Sequence, residues 1–190
     1  MKKQNSIILS LIAVTIVGMG IFSAVNMDSK ETIHVGGSIP DYPLEFLAEK
    51  TPYAIKGKVI DLIPVDEKTD EHGIVDVFTD VVIDVKKDIS EQYAENTITV
   101  RIRGGETDTA IYEYEHAPEF AVNENILILV ADKEPESMFG DNYYVAGLDQ
   151  GKFNLDIKGE AKNKNSDRSM SEKSLEDKIK KAKQKSEKIK

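Results

Sequence analysis

Thr97-Ile-Thr-Val-Arg-Ile-Arg103, followed by Gly104-Gly105, is the stretch that decides the fold. Successive side chains of an extended chain point to opposite faces. Ile98, Val100 and Ile102 therefore lie on one side, and Thr97, Thr99, Arg101 and Arg103 on the other. Such alternation, closed by a glycine pair, predicts a strand with one buried and one solvated face. The same period continues upstream. Val75, Val77, Thr79, Val81, Ile83 and Val85 share one face, while Asp76, Asp80, Asp84 and Lys86 occupy the other. Before that, Ile55, Gly57 and Val59 alternate with Lys56 and Lys58, which predicts a first strand from Tyr53 to about Ile63 and a polar loop over 64–73.

Downstream, Asn125–Ala131 is an unbroken apolar run, short and β-branched, as expected of a strand buried on both faces. Residues 143–148 and 152–157 read as a final pair joined by Asp149-Gln150-Gly151, a hairpin-type connection. The expectation is mainly β: five or six short strands in a small antiparallel barrel, because strands with one inward face must hide their edges. A single short helix precedes them at 43–50, with Asp41 as its capping residue, Pro43 in the first turn and Thr51-Pro52 as its stop.

The ends of the chain are different. Lys2 and Lys3 precede an uncharged run from Gln4 to Met27 with an apolar heart at 7–25. A helix needs about 20 apolar residues to cross a bilayer core of about 30 Å, so residues 1–27 read as a signal anchor with a transmembrane helix. Lysines stay on the cytoplasmic side, which places everything from Asp28 onward outside the cytoplasm. The alternative is a cleaved secretory signal, with the domain then secreted. Residues 28–40, with Gly36-Gly37-Ser38, read as a linker, 41–158 as the barrel domain, and 159–190 as a polar linker and a lysine-rich helical tail. In that tail Ser169 and Glu172 fit a capping box, and Leu175, Ile179, Ala182 and Ile189 form a thin stripe on a solvated helix.

Charge narrows the partners. Residues 171–190 hold eight lysines against four acids, and Lys2 and Lys3 add two positive charges, so residues 4–170 carry −15 within a whole-chain charge of −9. Such a surface repels phosphate backbones and argues against nucleic acid. There is no cysteine, hence no disulfide framework and no thiolate.

The segments Tyr53-Ala-Ile-Lys-Gly57-Lys-Val59, Phe78-Thr-Asp-Val-Val-Ile-Asp-Val85, Thr97–Arg103 with Gly104-Gly105, Glu124-Asn-Ile-Leu-Ile-Leu129 and Gln150-Gly-Lys-Phe153 occur in this order. Together they resemble a family of uncharacterised exported or membrane-anchored proteins of archaea and bacteria with an OB-like β-barrel domain. The resemblance covers 53–157 and implies a fold rather than an activity. It carries over no catalytic residues. The helix common between the third and fourth strands of such barrels is absent from the polar stretch 106–119.

Candidate sites are few. Arg101, Arg103, Lys56 and Lys58 occupy outward strand positions and would form a ligand-binding basic patch if their strands were neighbours. The plainer reading pairs them across strands with Asp76, Asp80 or Asp84. Tyr112 and Tyr114 are the aromatic residues that would approach such a patch. His34, His72 and His116 lack the paired spacing of a zinc site, so no metal site is expected from them. Asp66 and Asp70 lie in an acidic stretch ending at Gly73, a weak calcium candidate without the ordered ligand pattern of a calcium loop. No Gly-x-Ser-x-Gly elbow or Ser-x-x-Lys motif occurs, and no cofactor is indicated. The expected function is a non-catalytic, membrane-anchored, extracytoplasmic barrel that binds another cell-envelope component. The alternatives are a small-ligand or glycan-binding module using an exposed strand face, and then a hydrolase.

Overall fold

The computed structural model describes residues 30–69 and 75–187, the backbone alone at 66–69, 75, 166 and 187. In chain order the elements are β1 (Glu31–Val35), α1 (Leu44–Lys50), β2 (Tyr53–Thr69), β3 (Val75–Asp88), β4 (Thr97–Arg103), β5 (Gly105–Glu106), β6 (Ala110–Tyr114), β7 (Asn125–Ala131), β8 (Tyr143–Val145), β9 (Lys152–Leu155), β10 (Glu160–Lys162), β11 (Met170–Ser171) and α2 (Glu172–Glu187). Short 3-10 turns lie at Leu148–Gly151 and Ser166–Arg168.

Five strands close into a barrel in the order β2-β3-β4-β8-β7 and back to β2. Around this ring β4 and β8 run parallel, with Val100 opposite Tyr143 and Arg101 opposite Tyr144. An all-antiparallel barrel was the expectation, and parity overturns it: an odd number of strands cannot alternate direction around a closed ring. β2 runs to Thr69 instead of ending near Ile63, so the first part of the expected 64–73 loop is strand. Pro64 faces Thr79 and Val65 faces Phe78 across the β2–β3 pair. Gly57 sits at one of the bulges of that pair. A Cβ there would lie 2.5 Å from the carbonyl oxygen of Asp84 and 2.6 Å from Ile83 Cγ2, so no larger residue fits at this close approach.

The barrel interior is filled from every strand of the ring. Ile55, Val59, Val81, Ile83, Ile98 and Val100 form one half, and Ile126, Ile128, Val130 and Val145 the other. β7 is buried on both faces, as its unbroken apolar run predicts. Its outward residues, Leu127 and Leu129, belong to a second cluster between the barrel wall and the two helices, with Leu44, Leu47, Phe153, Leu155, Leu175 and Ile179 among its members.

Several expectations about the connections are corrected. Residues 143–148 and 152–157 do not form a hairpin with each other. Instead β8 takes one half of β7's free edge at Val130 and Ala131, and β9 takes the other half at Ile126, Leu127 and Ile128. The 3-10 turn carries the chain between the two halves, and β10 and β11 then extend the sheet outward. The stretch expected as a linker at 28–40 contains β1, which pairs in parallel with β6 from Glu31 opposite Ala110 to Val35 opposite Tyr114. Asp41 does not cap α1. Pro43 holds the N-cap position without a side-chain bond, and Asp41 pairs with Arg168.

The polar stretch after Gly159 is also ordered, because its polar groups find partners. Asn163 is buried, and its amide donates to the carbonyls of Asp149, Gln150 and Lys152 at 3.2, 3.2 and 2.7 Å. The α2 cap is Ser171 rather than Ser169: Ser171 Oγ accepts from the Ser174 N–H, while Ser169 Oγ accepts from the Asn163 N–H. α2 is not a solvated tail. Leu175 and Ile179 are fully buried, and Ala182 nearly so, against α1 and the barrel wall. Burying a Leu or Ile is worth about 1.5–3 kcal/mol, whereas a partly exposed ion pair such as Lys56–Glu172 is worth about 1 kcal/mol or less. Apolar packing therefore seats the helix. Ile189 lies outside the described residues.

The apolar segment 7–25 also lies outside the described residues. Among those described, no helix is long and apolar enough to cross a membrane.

Candidate functional site

The sequence elements meet at the C-terminal end of β4. Here Arg101 and Arg103 project from the outer face of the barrel, since Val100 and Ile102 turn inward. Asp80 faces Arg101 across the β3–β4 ladder. The guanidinium grips that carboxylate as a fork, Nε to Oδ1 at 2.7 Å and a terminal nitrogen to Oδ2 at 2.8 Å. This bond raises the Arg101 pKa further above its ordinary value, against the opposing effect of burial. Arg103 donates to Asp76 Oδ1 at 2.7 Å, and its guanidinium lies 4.2 Å from the centre of the Tyr114 ring. Its Nε is buried and has no hydrogen-bond partner among the described residues.

The four basic residues singled out in the sequence do not form one patch. β3 separates β2 from β4, and Lys58 lies opposite Asp84 whereas Arg101 lies opposite Asp80. Four residues of strand span about 13 Å. Lys56 is further still along the barrel and pairs with Glu172 of α2. The cross-strand pairing with Asp76 and Asp80 is what the two arginines adopt. Asp70 lies outside the described residues, as does the side chain of Asp66, so the calcium candidate does too. His72 is likewise outside them. His34 sits 3.1 Å from Glu113 and His116 sits 3.6 Å from Asp149, on different parts of the surface. Among the described residues, no group of three or more potential metal ligands converges.

Two clefts flank Arg103, with volumes of about 740 and 460 Å³. Both sizes fall in the range of ligand sites, about 300–1,000 Å³. Val35, Ile102, Arg103, Tyr114, Ala117 and Pro118 line both, so the pair forms one divided groove. The larger compartment opens at the barrel mouth, where Leu62, Ile102 and Phe120 supply apolar walls. The smaller lies on the outer face between the segment after β1 and the β7–β8 connection, walled by Ile39, Pro40, Met138, Phe139 and Tyr144. Phe139 stacks on Tyr144 at 4.7 Å and meets Phe78 edge-on at 6.3 Å, which fixes this wall. Met138 stands at the lip and is 58% exposed.

Gly104 and Gly105 create this geometry. Their φ values of 97° and 140° end β4 and send the chain into β5, and a Cβ on Gly104 would lie 2.7 Å from the Tyr112 carbonyl oxygen. The β5–β6 hairpin thereby folds back beside the barrel, and β1 joins its far edge. Carboxylates line the rim, each with a partner: Glu113 with His34, Glu115 with the Gly37 N–H at 3.1 Å, and Glu119 with Lys164 at 3.4 Å.

Behind the groove, Lys152 clamps the chain between β6 and β7. Its ammonium donates to both carboxylate oxygens of Glu124 at 3.0 Å and to the Glu119 carbonyl, and it lies 4.5 Å from the centre of the Phe120 ring. Burial lowers its pKa, and the Glu124 carboxylate works against that shift. All three N–H donors are engaged, so the ammonium acts as a clamp.

Sequence reasoning found the arginines and their acidic partners from strand alternation. It placed Tyr114 near the patch without its stacked geometry, and it missed Met138, Phe139 and Tyr144. The last two alternate with no strand period, because Phe139 lies in an irregular connection and β8 is three residues long. No family model, curated protein or solved structure matches the chain.

Proposed function

We propose that this chain is a membrane-tethered, extracytoplasmic binding module that holds another envelope component in the divided groove at Arg103. The observation that carries the reading is the groove itself: two compartments of ligand-site size that share Ile102, Arg103 and Tyr114 as walls. The Lys2-Lys3 pair and the apolar residues 7–25 support tethering by the N-terminus with the barrel outside. The ring order, strand one beside strands two and four and strand three beside strand five, supports an OB-type barrel. Barrels of that type hold ligands on the outer face of their second and third strands. Here Arg101, Asp80 and Phe139 cover much of that face, so the binding role moves to the groove at its end.

The test uses the full-length chain in cells of its source organism, with a photo-crosslinking amino acid in place of Met138. The expected result is a defined covalent adduct that stays in the membrane pellet after alkaline carbonate washing. Recovery of the full-length protein in the soluble cytoplasmic fraction, or no adduct at Met138, overturns the proposal.

A further inference from the structure

We infer that the occupant of the groove is an extended peptide segment of a partner protein, with neighbouring apolar residues and basic flanks; this rests on the binding role just proposed. Three observations converge on it. First, the two compartments share the Arg103–Tyr114 pair as a common wall. An extended peptide places successive side chains on opposite sides of its backbone, so a strand crossing this divider would lower one side chain into each compartment. The barrel-mouth compartment offers Leu62, Ile102 and Phe120, and the outer one offers Ile39, Pro40 and Met138, so both receive apolar side chains.

Second, backbone groups are available where such a strand would pass. β8 ends at Val145, so the ladder on that side of β4 stops at Arg101, and the backbone groups of Arg103, which face away from β3, have no strand partner there among the described residues. This is strand addition at an open edge, with side-chain pockets giving the selectivity.

Third, the charge favours a basic partner. Residues 28–190, α2 included, carry −11, and Glu115 stands on the rim with the Gly37 N–H as its partner. Arg103 is already balanced by Asp76, so an acidic peptide would meet repulsion without an unpaired cation to receive it. The exposed thioether of Met138 adds an adaptable apolar contact at the lip.

The experiment measures fluorescence anisotropy with the full-length chain in detergent micelles. The probes are labelled nonapeptides carrying adjacent Leu, Val or Phe pairs between lysine flanks, the same peptides with glutamate flanks, and labelled chitohexaose. Lysine-flanked peptides are expected to bind at least tenfold more tightly than their glutamate counterparts, with the preference shrinking as salt rises. Met138→Glu is expected to weaken that binding at least tenfold, and Lys173→Glu, on the exposed side of α2, to leave it unchanged. Circular dichroism of each variant confirms that it is folded. Equal binding of glutamate-flanked peptides, indifference to Met138→Glu in a folded variant, or binding of chitohexaose alone overturns the inference. The in-cell adduct at Met138 reports separately on whether the groove has any occupant. A partner captured there while every peptide fails would remove the peptide class and leave the binding role standing.

Discussion

Asp88 shows how much one side chain can organise. It ends β3, and both of its oxygens hold the turn that follows: Oδ1 accepts from the N–H and hydroxyl of Ser90, and Oδ2 from the N–H groups of Gln92 at 2.7 Å and Tyr93 at 2.8 Å. Burial alone would push its carboxyl pKa up, but these donors outweigh burial and hold it below the ordinary value. A carboxyl with a depressed folded-state pKa adds stability above its unfolded pKa of about 4, and that stability is lost as pH falls through the folded value. Asp88→Asn is therefore expected to lower stability by about 1–2 kcal/mol at pH 7 and by clearly less near pH 3. Urea unfolding of both proteins at the two pH values checks this; an equal difference at both would be inconsistent with the assignment. The turn also seats Tyr93, whose hydroxyl donates to the Thr97 carbonyl and whose pKa burial pushes up to about 12. At this scale the arginine–aspartate pairs were legible in the sequence, because alternation alone puts Arg101 and Asp80 on the same face. The Asp88 turn was not, since its donors come from an irregular stretch with no period to read.

Among the elements, α2 departs most from its expected role. The stripe Leu175, Ile179 and Ala182 is visible at helical spacing, yet three small to medium apolar positions among lysines suggest a helix that need not dock. What the stripe fits is the outward side of β7. An unbroken apolar run predicts burial on both faces, and Leu127 and Leu129 need a cover that the barrel cannot provide. The two signals are complements, separated by about 50 residues, and only folding brings them together. Leu175→Ala and Ile179→Ala are each expected to cost about 2–5 kcal/mol, as for other fully buried aliphatic truncations. Lys56→Ala, which removes a partly exposed ion pair with Glu172, is expected to cost about 1 kcal/mol or less. Urea denaturation midpoints followed by circular dichroism separate these outcomes. A loss at Lys56 as large as at Leu175 would show that charge rather than packing seats the helix.

At the level of the whole molecule, the barrel interior and the helix-covered cluster share β7 as a common wall. Neither can be lost without exposing the other side of that strand, which couples them into one cooperative unit. Tyrosine fluorescence from the cluster of Tyr53, Tyr93 and Tyr143, with ring centres 5.4 to 6.2 Å apart, reports on the barrel end, while helical circular dichroism reports on α1 and α2. The two signals are expected to give superimposable urea transitions. Separate midpoints would show that the helical layer unfolds independently. Side-chain period, a local property of the chain, places the principal barrel strands and settles which of their faces turn inward and which carry the arginines. Tertiary structure alone decided the parallel closure of β4 on β8, the division of β7's edge between β8 and β9, the docking of β1 and α2, and the groove at Arg103. Each of these depends on contacts between residues far apart in the chain, which no local period records.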